Sequence, residues 1–177
     1  MSTKFEVRLS GSGGQGLILA GIILAESSLL NGKNAIQSQS YGPEARGGAS
    51  KSEVIISDGA INFPKVEKCD LLLSLTQKSY EEYIDSLKKD GILLVDESVE
   101  VDNTIDAKIY KLPIIDTAVK KLKKPMVANI VSLGVICSLV DIIDEVSLEK
   151  AILNRIPPGT EDVNRKAFKE GLKLYKG

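Results

Sequence analysis

Lys4-Phe5-Glu6-Val7-Arg8-Leu9-Ser10-Gly11-Ser12-Gly13-Gly14-Gln15-Gly16-Leu17-Ile18-Leu19-Ala20 passes from alternating residues through a glycine cluster into a continuous apolar run. Alternation over Lys4 to Ser10 predicts a strand, and the glycines predict a tight turn. From Gln15 to Leu30 apolar residues cover most of the helical circumference, as in a helix buried between a sheet and a further layer. Asn31-Gly32 supplies its stop. A strand, a glycine turn and a buried helix in that order make a Rossmann-like start.

Working outward, Asn34 to Gln39 reads as a second strand and Ser40 to Ala49, with three glycines and a proline, as a loop. Ser52 to Ser57 resumes as a strand closed by Asp58-Gly59. The connection before it is too short for a crossover helix, so this strand can run antiparallel and give a mixed sheet. Cys69 to Leu75 is a strand of the two-sided buried kind, followed by an amphipathic helix over Gln77 to Lys89. Ile92 to Asp96 and Lys108 to Leu112 are the last strands. Helices are then predicted over Asp116 to Lys123, Asn129 to Val140, Ser147 to Asn154 and Val163 to Tyr175. The expectation is a single domain, 1–177, of α/β class: three layers, a mostly parallel or mixed sheet, and a helical C-terminal part.

Composition removes several functions. With a formal charge of −1 and basic residues spread along the chain, the broad cationic footprint of a nucleic-acid-binding protein is missing. The one dense cationic stretch, Lys120, Lys121, Lys123 and Lys124, suits a solvated helix end, an anionic partner being the other reading. The apolar runs Leu17 to Ala25 and Ile130 to Val140 fall far short of the ~20 residues that span a bilayer. No signal-peptide pattern opens the chain, so the expected location is cytoplasmic. Cys69 and Cys137 are the only thiols and there is no histidine. An iron–sulfur cluster normally needs four ligands, so any cluster is expected on another chain and no metal is expected here.

Gly11-Ser12-Gly13-Gly14-Gln15-Gly16 satisfies G-x-G-x-x-G between a strand and a helix. Such glycines let the backbone approach a ligand while a helix N-terminus offers N–H groups to an anion, so Gly11, Gly13, Gly14, Gln15 and Gly16 are candidate contacts for a phosphate-sized group. The same glycines also suit close packing of strand, helix and a neighbouring subunit. A dinucleotide site would want a carboxylate ending the second strand, where Ile36-Gln37-Ser38-Gln39-Ser40 stands, and a P-loop would want Lys and Ser/Thr after Gly16. In Tyr41-Gly42-Pro43-Glu44-Ala45-Arg46-Gly47-Gly48 the guanidinium of Arg46 suits bidentate recognition of phosphate or carboxylate. Pairing with Glu44, or a subunit contact, is the alternative.

These stretches together resemble the gamma subunit of 2-oxoacid:ferredoxin oxidoreductases. The glycine turn, Gln37 to Gly48, Ser52 to Ser57, Phe63-Pro64-Lys65-Val66, Gly91 to Asp96, Asn129 to Gly134 and Asn164 to Gly171 carry the likeness, which covers nearly the whole chain. The string from Tyr41 to Gly48 is closest to the 2-oxoglutarate branch; pyruvate, indolepyruvate and branched-chain enzymes are alternatives. The resemblance implies a non-catalytic subunit of a complex that performs coenzyme A-dependent oxidative decarboxylation, yielding acyl-CoA, carbon dioxide and reduced ferredoxin. Thiamine diphosphate and iron–sulfur clusters are then expected on alpha and beta partner subunits, with delta a further candidate partner. This chain would hold no cofactor alone. Gly11 to Gly16 and Arg46 become candidate coenzyme A contacts, and Tyr41, Pro43, Glu44, Gly47 and Gly48 candidate interface residues. An isolated chain is expected to self-associate. A free-standing nucleotide-binding module is the rival reading.

Overall fold

The structure, a computed structural model, describes residues 3–39 and 49–176. Its centre is a six-stranded sheet of order β2-β3-β1-β4-β5-β6. The strands are β1 (Lys4–Gly11), β2 (Asn34–Gln39), β3 (Ser50–Ser57), β4 (Cys69–Ser74), β5 (Leu87–Asp96) and β6 (Ala107–Leu112). The β1–β4, β4–β5 and β5–β6 pairs are parallel, whereas β3 runs against both β1 and β2. The mixed sheet follows from the short separation of β2 from β3, which leaves no room for a crossover helix.

Helices cover both faces. Val7, Leu9, Val54, Ile56, Leu71, Leu73 and Leu94 face a large core with α1 (Leu17–Leu30), α4 (Ala128–Leu139), α5 (Glu145–Arg155) and α6 (Glu161–Lys176). On the other face Ile55, Leu72, Leu93 and Val95 pack with Tyr80 and Tyr83 of α2 (Gln77–Tyr83) in a smaller core. The side-chain period of two sends neighbouring residues of one strand to opposite faces. Thus Glu6 and Arg8 of β1 face the smaller core, and Arg8 Nη2 pairs with Glu53 Oε2 at 2.9 Å and donates to the Val66 carbonyl at 2.8 Å. The Arg8 guanidinium also lies 5.7 Å from the Tyr83 ring centroid.

The helix expected over Gln77 to Lys89 is shorter than its pattern. It stops at Tyr83, a 3₁₀ turn occupies Ile84–Ser86, and Leu87 already belongs to β5. Tertiary pairing overrides the helical spacing here. Cys69 pairs with Leu87 but Leu71 with Ile92, so the intervening residues are accommodated as an irregularity, with Asp90 at φ 60°. Lys88 reaches back to Glu6 at 3.1 Å and Asp70 at 3.0 Å, which rewards the extended form. At the other helices the expected spans shift by a residue or two, except near the lysine stretch. There α3 (Ile114–Asp116) runs into a π-helical turn at Thr117–Lys121, and Lys123 takes φ 55°. Lys120 pairs with Asp116 and Lys121 with Glu170, each at 2.6 Å.

Where α4 crosses α6 the two backbones touch. A Cβ added at Gly171 would lie 2.9 Å from the Gly134 Cα and would collide with the Val131 carbonyl oxygen. No helix of the described residues is long and apolar enough to cross a membrane. Overpacking a tight site costs about 1–3 kcal/mol, against roughly 1 kcal/mol of helix propensity gained from Gly to Ala. We therefore expect Gly171→Ala to lower stability by up to about 2 kcal/mol in urea denaturation, and Gly171→Leu to lower it further; equal midpoints for all three proteins would contradict the crossing.

Candidate functional site

β1 and β2 point the same way, since β3 runs against both. The register pairs Gly11 with Ser50 and Gln39 with Ser52. The glycine turn and both ends of the 40–48 connection therefore meet one edge of the sheet. Tyr41, Pro43, Glu44, Arg46, Gly47 and Gly48 themselves lie outside the described residues. Between β1 and β4 the chain path reverses, since β1 leads through α1 to one side of the sheet and β4 through α2 to the other. That is a topological switch point, where open α/β sheets bind ligands. Ser10 Oγ donates to the Leu73 carbonyl at 2.7 Å and lies 3.1 Å from Ser74 Oγ, closing the base of the crevice.

The motif divides into glycines that pack and glycines that face open space. A Cβ on Gly11 would strike Gln15 Oε1 and come 3.0 Å from Leu17 Cδ1; one on Gly16 would stand 2.5 Å from Asn129 Nδ2. Gly16 also has φ 72°, in the left-handed region that glycine alone adopts at little cost. Around Gly13 and Gly14 an added Cβ meets nothing within 4 Å. Gln15 helps build the turn, its Oε1 accepting from the Ser12 N–H at 2.8 Å. Gly16 caps α1 without any side-chain hydrogen bond to the helix N–H groups. Unpartnered donors at a helix start favour an anion.

Asn129 is a site-adjacent residue that the sequence does not single out. It is 3% exposed, in the first turn of α4, and its Nδ2 donates to the Gly16 carbonyl at 3.0 Å while Oδ1 accepts from the Ile130 N–H at 2.9 Å. Its signals in the sequence are its place at the head of a mostly apolar helix and at the start of the Asn129 to Gly134 stretch that shares in the family likeness. Beside it opens a groove of about 280 Å³ lined by Leu19, Val127, Ile130, Ile156 and Val163, with Lys124 among its few polar neighbours.

The thiols are placed apart. Cys69 is buried in the smaller core, where burial pushes its thiol up to about 11, and Cys137 packs against the larger core. Two thiols on opposite faces of a sheet do not fit an iron–sulfur cluster. Among the described residues no group of three or more His, Cys, Asp and Glu could hold a metal ion.

A three-layer α/β chain with a Rossmann-like first unit and an open glycine turn at the switch point is the class that fold and site define. The family model for pyruvate ferredoxin/flavodoxin oxidoreductase matches residues 6–174, and the chain belongs to that family. It is 51% identical over 175 residues to the 2-oxoglutarate synthase subunit KorC of Methanocaldococcus jannaschii, covering 97% of this chain and 94% of that one. Among solved structures, the gamma subunit of a keto/oxoacid ferredoxin oxidoreductase from Geobacter sulfurreducens superposes with a TM-score of 0.87 at 47% identity, covering 96% of each chain. The fold recurs in the 2-oxoglutarate:ferredoxin oxidoreductase of Magnetococcus marinus, solved with 2-oxoglutarate, coenzyme A and succinyl-CoA bound. There the TM-score is 0.86 at 22% identity, covering 98% of this chain and 31% of that one.

The two classes of glycine are separable by substitution. Gly13→Ala is expected to unfold within about 0.5 kcal/mol of the parent, whereas Gly16→Ala, strained in φ and crowded by Asn129, should lose about 2–4 kcal/mol. Chemical denaturation of the two variants is the measurement, and equal losses would refute the division.

Proposed function

We propose that this chain is the gamma subunit of a multi-subunit 2-oxoglutarate:ferredoxin oxidoreductase, working in the cytoplasm as one domain over 1–177. In that complex 2-oxoglutarate is oxidatively decarboxylated with coenzyme A to acyl-CoA and carbon dioxide, and ferredoxin takes the electrons. Alpha and beta partners, with delta where present, supply thiamine diphosphate and the clusters. This chain contributes assembly surface and, through the Gly11 to Gly16 turn and Arg46, contacts to coenzyme A phosphate.

The observation that carries this reading is the open turn around Gly13 and Gly14, set at the switch point of the sheet. Exposed backbone at a helix N-terminus suits a phosphate, and Arg46 sits in the connection whose two ends reach the same edge. Likeness to a KorC subunit at 51% identity favours the 2-oxoglutarate branch over pyruvate, indolepyruvate or branched-chain substrates. Two thiols on opposite sides of the sheet fit clusters held elsewhere. Exposed apolar side chains such as Met126 (83%) and Val146 (77%) are suited to subunit contacts.

Arg46→Ala in the assembled complex should raise the KM for coenzyme A while leaving thiamine-dependent decarboxylation largely intact. A lost charge-assisted hydrogen bond of roughly 1.5–3 kcal/mol corresponds to a rise of about ten- to a hundredfold. Unchanged coenzyme A kinetics in an intact complex would refute the contact, and failure to assemble would make Arg46 an interface residue. The chain expressed alone should be colourless, free of iron, self-associated in light scattering and inactive on 2-oxoacids until alpha and beta are added. Stoichiometric iron would refute this, and tight nucleotide binding by the lone chain would favour a free-standing nucleotide-binding module.

A further inference from the structure

Coenzyme A affinity, on the reading just given, depends on how the start of α1 is aimed. Glycines that leave backbone N–H groups open to a ligand are conformationally free, so something else must hold them in one geometry. Within the turn, the Gln15 side chain ties itself to Ser12, two residues before Gly14, where an added Cβ would meet nothing. At its far end the turn has no side-chain cap of its own. The hold there comes from α4, 113 residues further along the chain, through the Asn129 side chain.

Its geometry is that of a clamp with one permitted setting. Nδ2 donates to the Gly16 carbonyl at 3.0 Å, and that same oxygen accepts the first helical bond from the Ala20 N–H at 3.0 Å. Oδ1 is fixed by the Ile130 N–H, so the amide cannot turn over without losing both bonds. Any side chain at residue 16 would collide with it. Asn129 is buried at 3% exposure with both amide atoms engaged by backbone, so it acts on the turn through the Gly16 carbonyl it holds. The α4 helix is in turn seated on α6 by the backbone contact of Gly134 with Gly171, which anchors the clamp in the largest core of the protein.

We infer that Asn129 is a positioning residue for coenzyme A: by fixing the Gly16 carbonyl it orients the N-terminus of α1 toward the phosphate. This rests on the proposed coenzyme A contact of the same turn. The Gly16 carbonyl is held by Asn129 and accepts the first helical bond from Ala20, so this contact sets the direction in which α1 leaves the turn. Ligand binding then need not spend energy ordering the turn.

The test uses the assembled complex carrying Asn129→Leu, which removes the donor at similar volume, and Asn129→Asp, which is isosteric. Kinetics give KM for coenzyme A and for 2-oxoglutarate, and amide hydrogen exchange of the 11–19 segment reads the turn without ligand. The expected result is faster exchange of the turn and a coenzyme A KM raised about tenfold, with the 2-oxoglutarate KM held within about a factor of two. A residue that merely stabilised the fold would shift both KM values together, and that outcome overturns the inference. So does a complex with unchanged exchange and unchanged coenzyme A KM. If exchange quickens and Arg46→Ala raises the coenzyme A KM but neither Asn129 variant does, the positioning role falls while the coenzyme A contact stands. If Arg46→Ala is silent as well, the contact itself falls and the inference with it. Loss of assembly in both Asn129 variants would make the residue an assembly determinant and would also overturn it.

Discussion

β1 must satisfy two incompatible surroundings at once, and much of the molecule follows from how it does so. It is hydrogen-bonded along both edges, to β3 on one side and β4 on the other, and is buried on both faces. Toward the helical layer Val7 and Leu9 are fully apolar contacts. Toward the thinner layer the same strand turns Glu6 and Arg8, whose charges are matched by Lys88 and Glu53. Burying ions costs several kcal/mol per charge, and a close pair with further hydrogen bonds roughly offsets that cost. Such a pair adds little net stability. It does penalise any register in which Arg8 and Glu53 fail to meet, so it disfavours a slipped β1–β3 alignment. With that alignment fixed, the ends of β1, β2 and the start of β3 come to one edge.

Under the proposed function, that edge is where packing and binding compete for the same six residues. Gly11 and Gly16 are glycine because neighbouring side chains occupy the space of a Cβ, whereas Gly13 and Gly14 stand clear of everything described. A motif match cannot tell these apart, because both reasons write the same letter. Close packing and open space therefore coexist in one turn: the outer glycines seat the helix on the sheet and α4, and the inner ones face no neighbouring side chain, with Gly14 also at a left-handed φ of 83°.

Much of this was legible from residue patterns. The strand-turn-helix start, the mixed sheet, the antiparallel β3 and the run of C-terminal helices all follow from periodicity and from connection length, which are local properties. What escaped was non-local. Lys88 and Lys89 carry a helical pattern but lie in β5, because the partners of Lys88 are Glu6 and Asp70 on two other strands. Asn129 looks like an ordinary cap-like residue until folding brings it to Gly16. A contact across 113 residues leaves no spacing signal.

Under the proposed function, the lack of redox ligands in this chain has a physical rationale. Binding energy from a non-reacting part of a substrate accelerates a reaction only when it positions the reacting part, and that requires the binding surface to be rigid relative to the chemistry. A nucleotide handle is well served by a preorganised backbone turn on a buried helix, which needs no metal and no titrating group. Thiamine and cluster chemistry need a different environment, with ligands and dielectric tuned to electron transfer. Placing the two on separate chains lets each site be shaped independently. Their relative position then depends on the subunit interface, so the apolar side chains this chain leaves exposed, Met126 and Val146 foremost, would bear on catalysis through assembly rather than through contact with substrate.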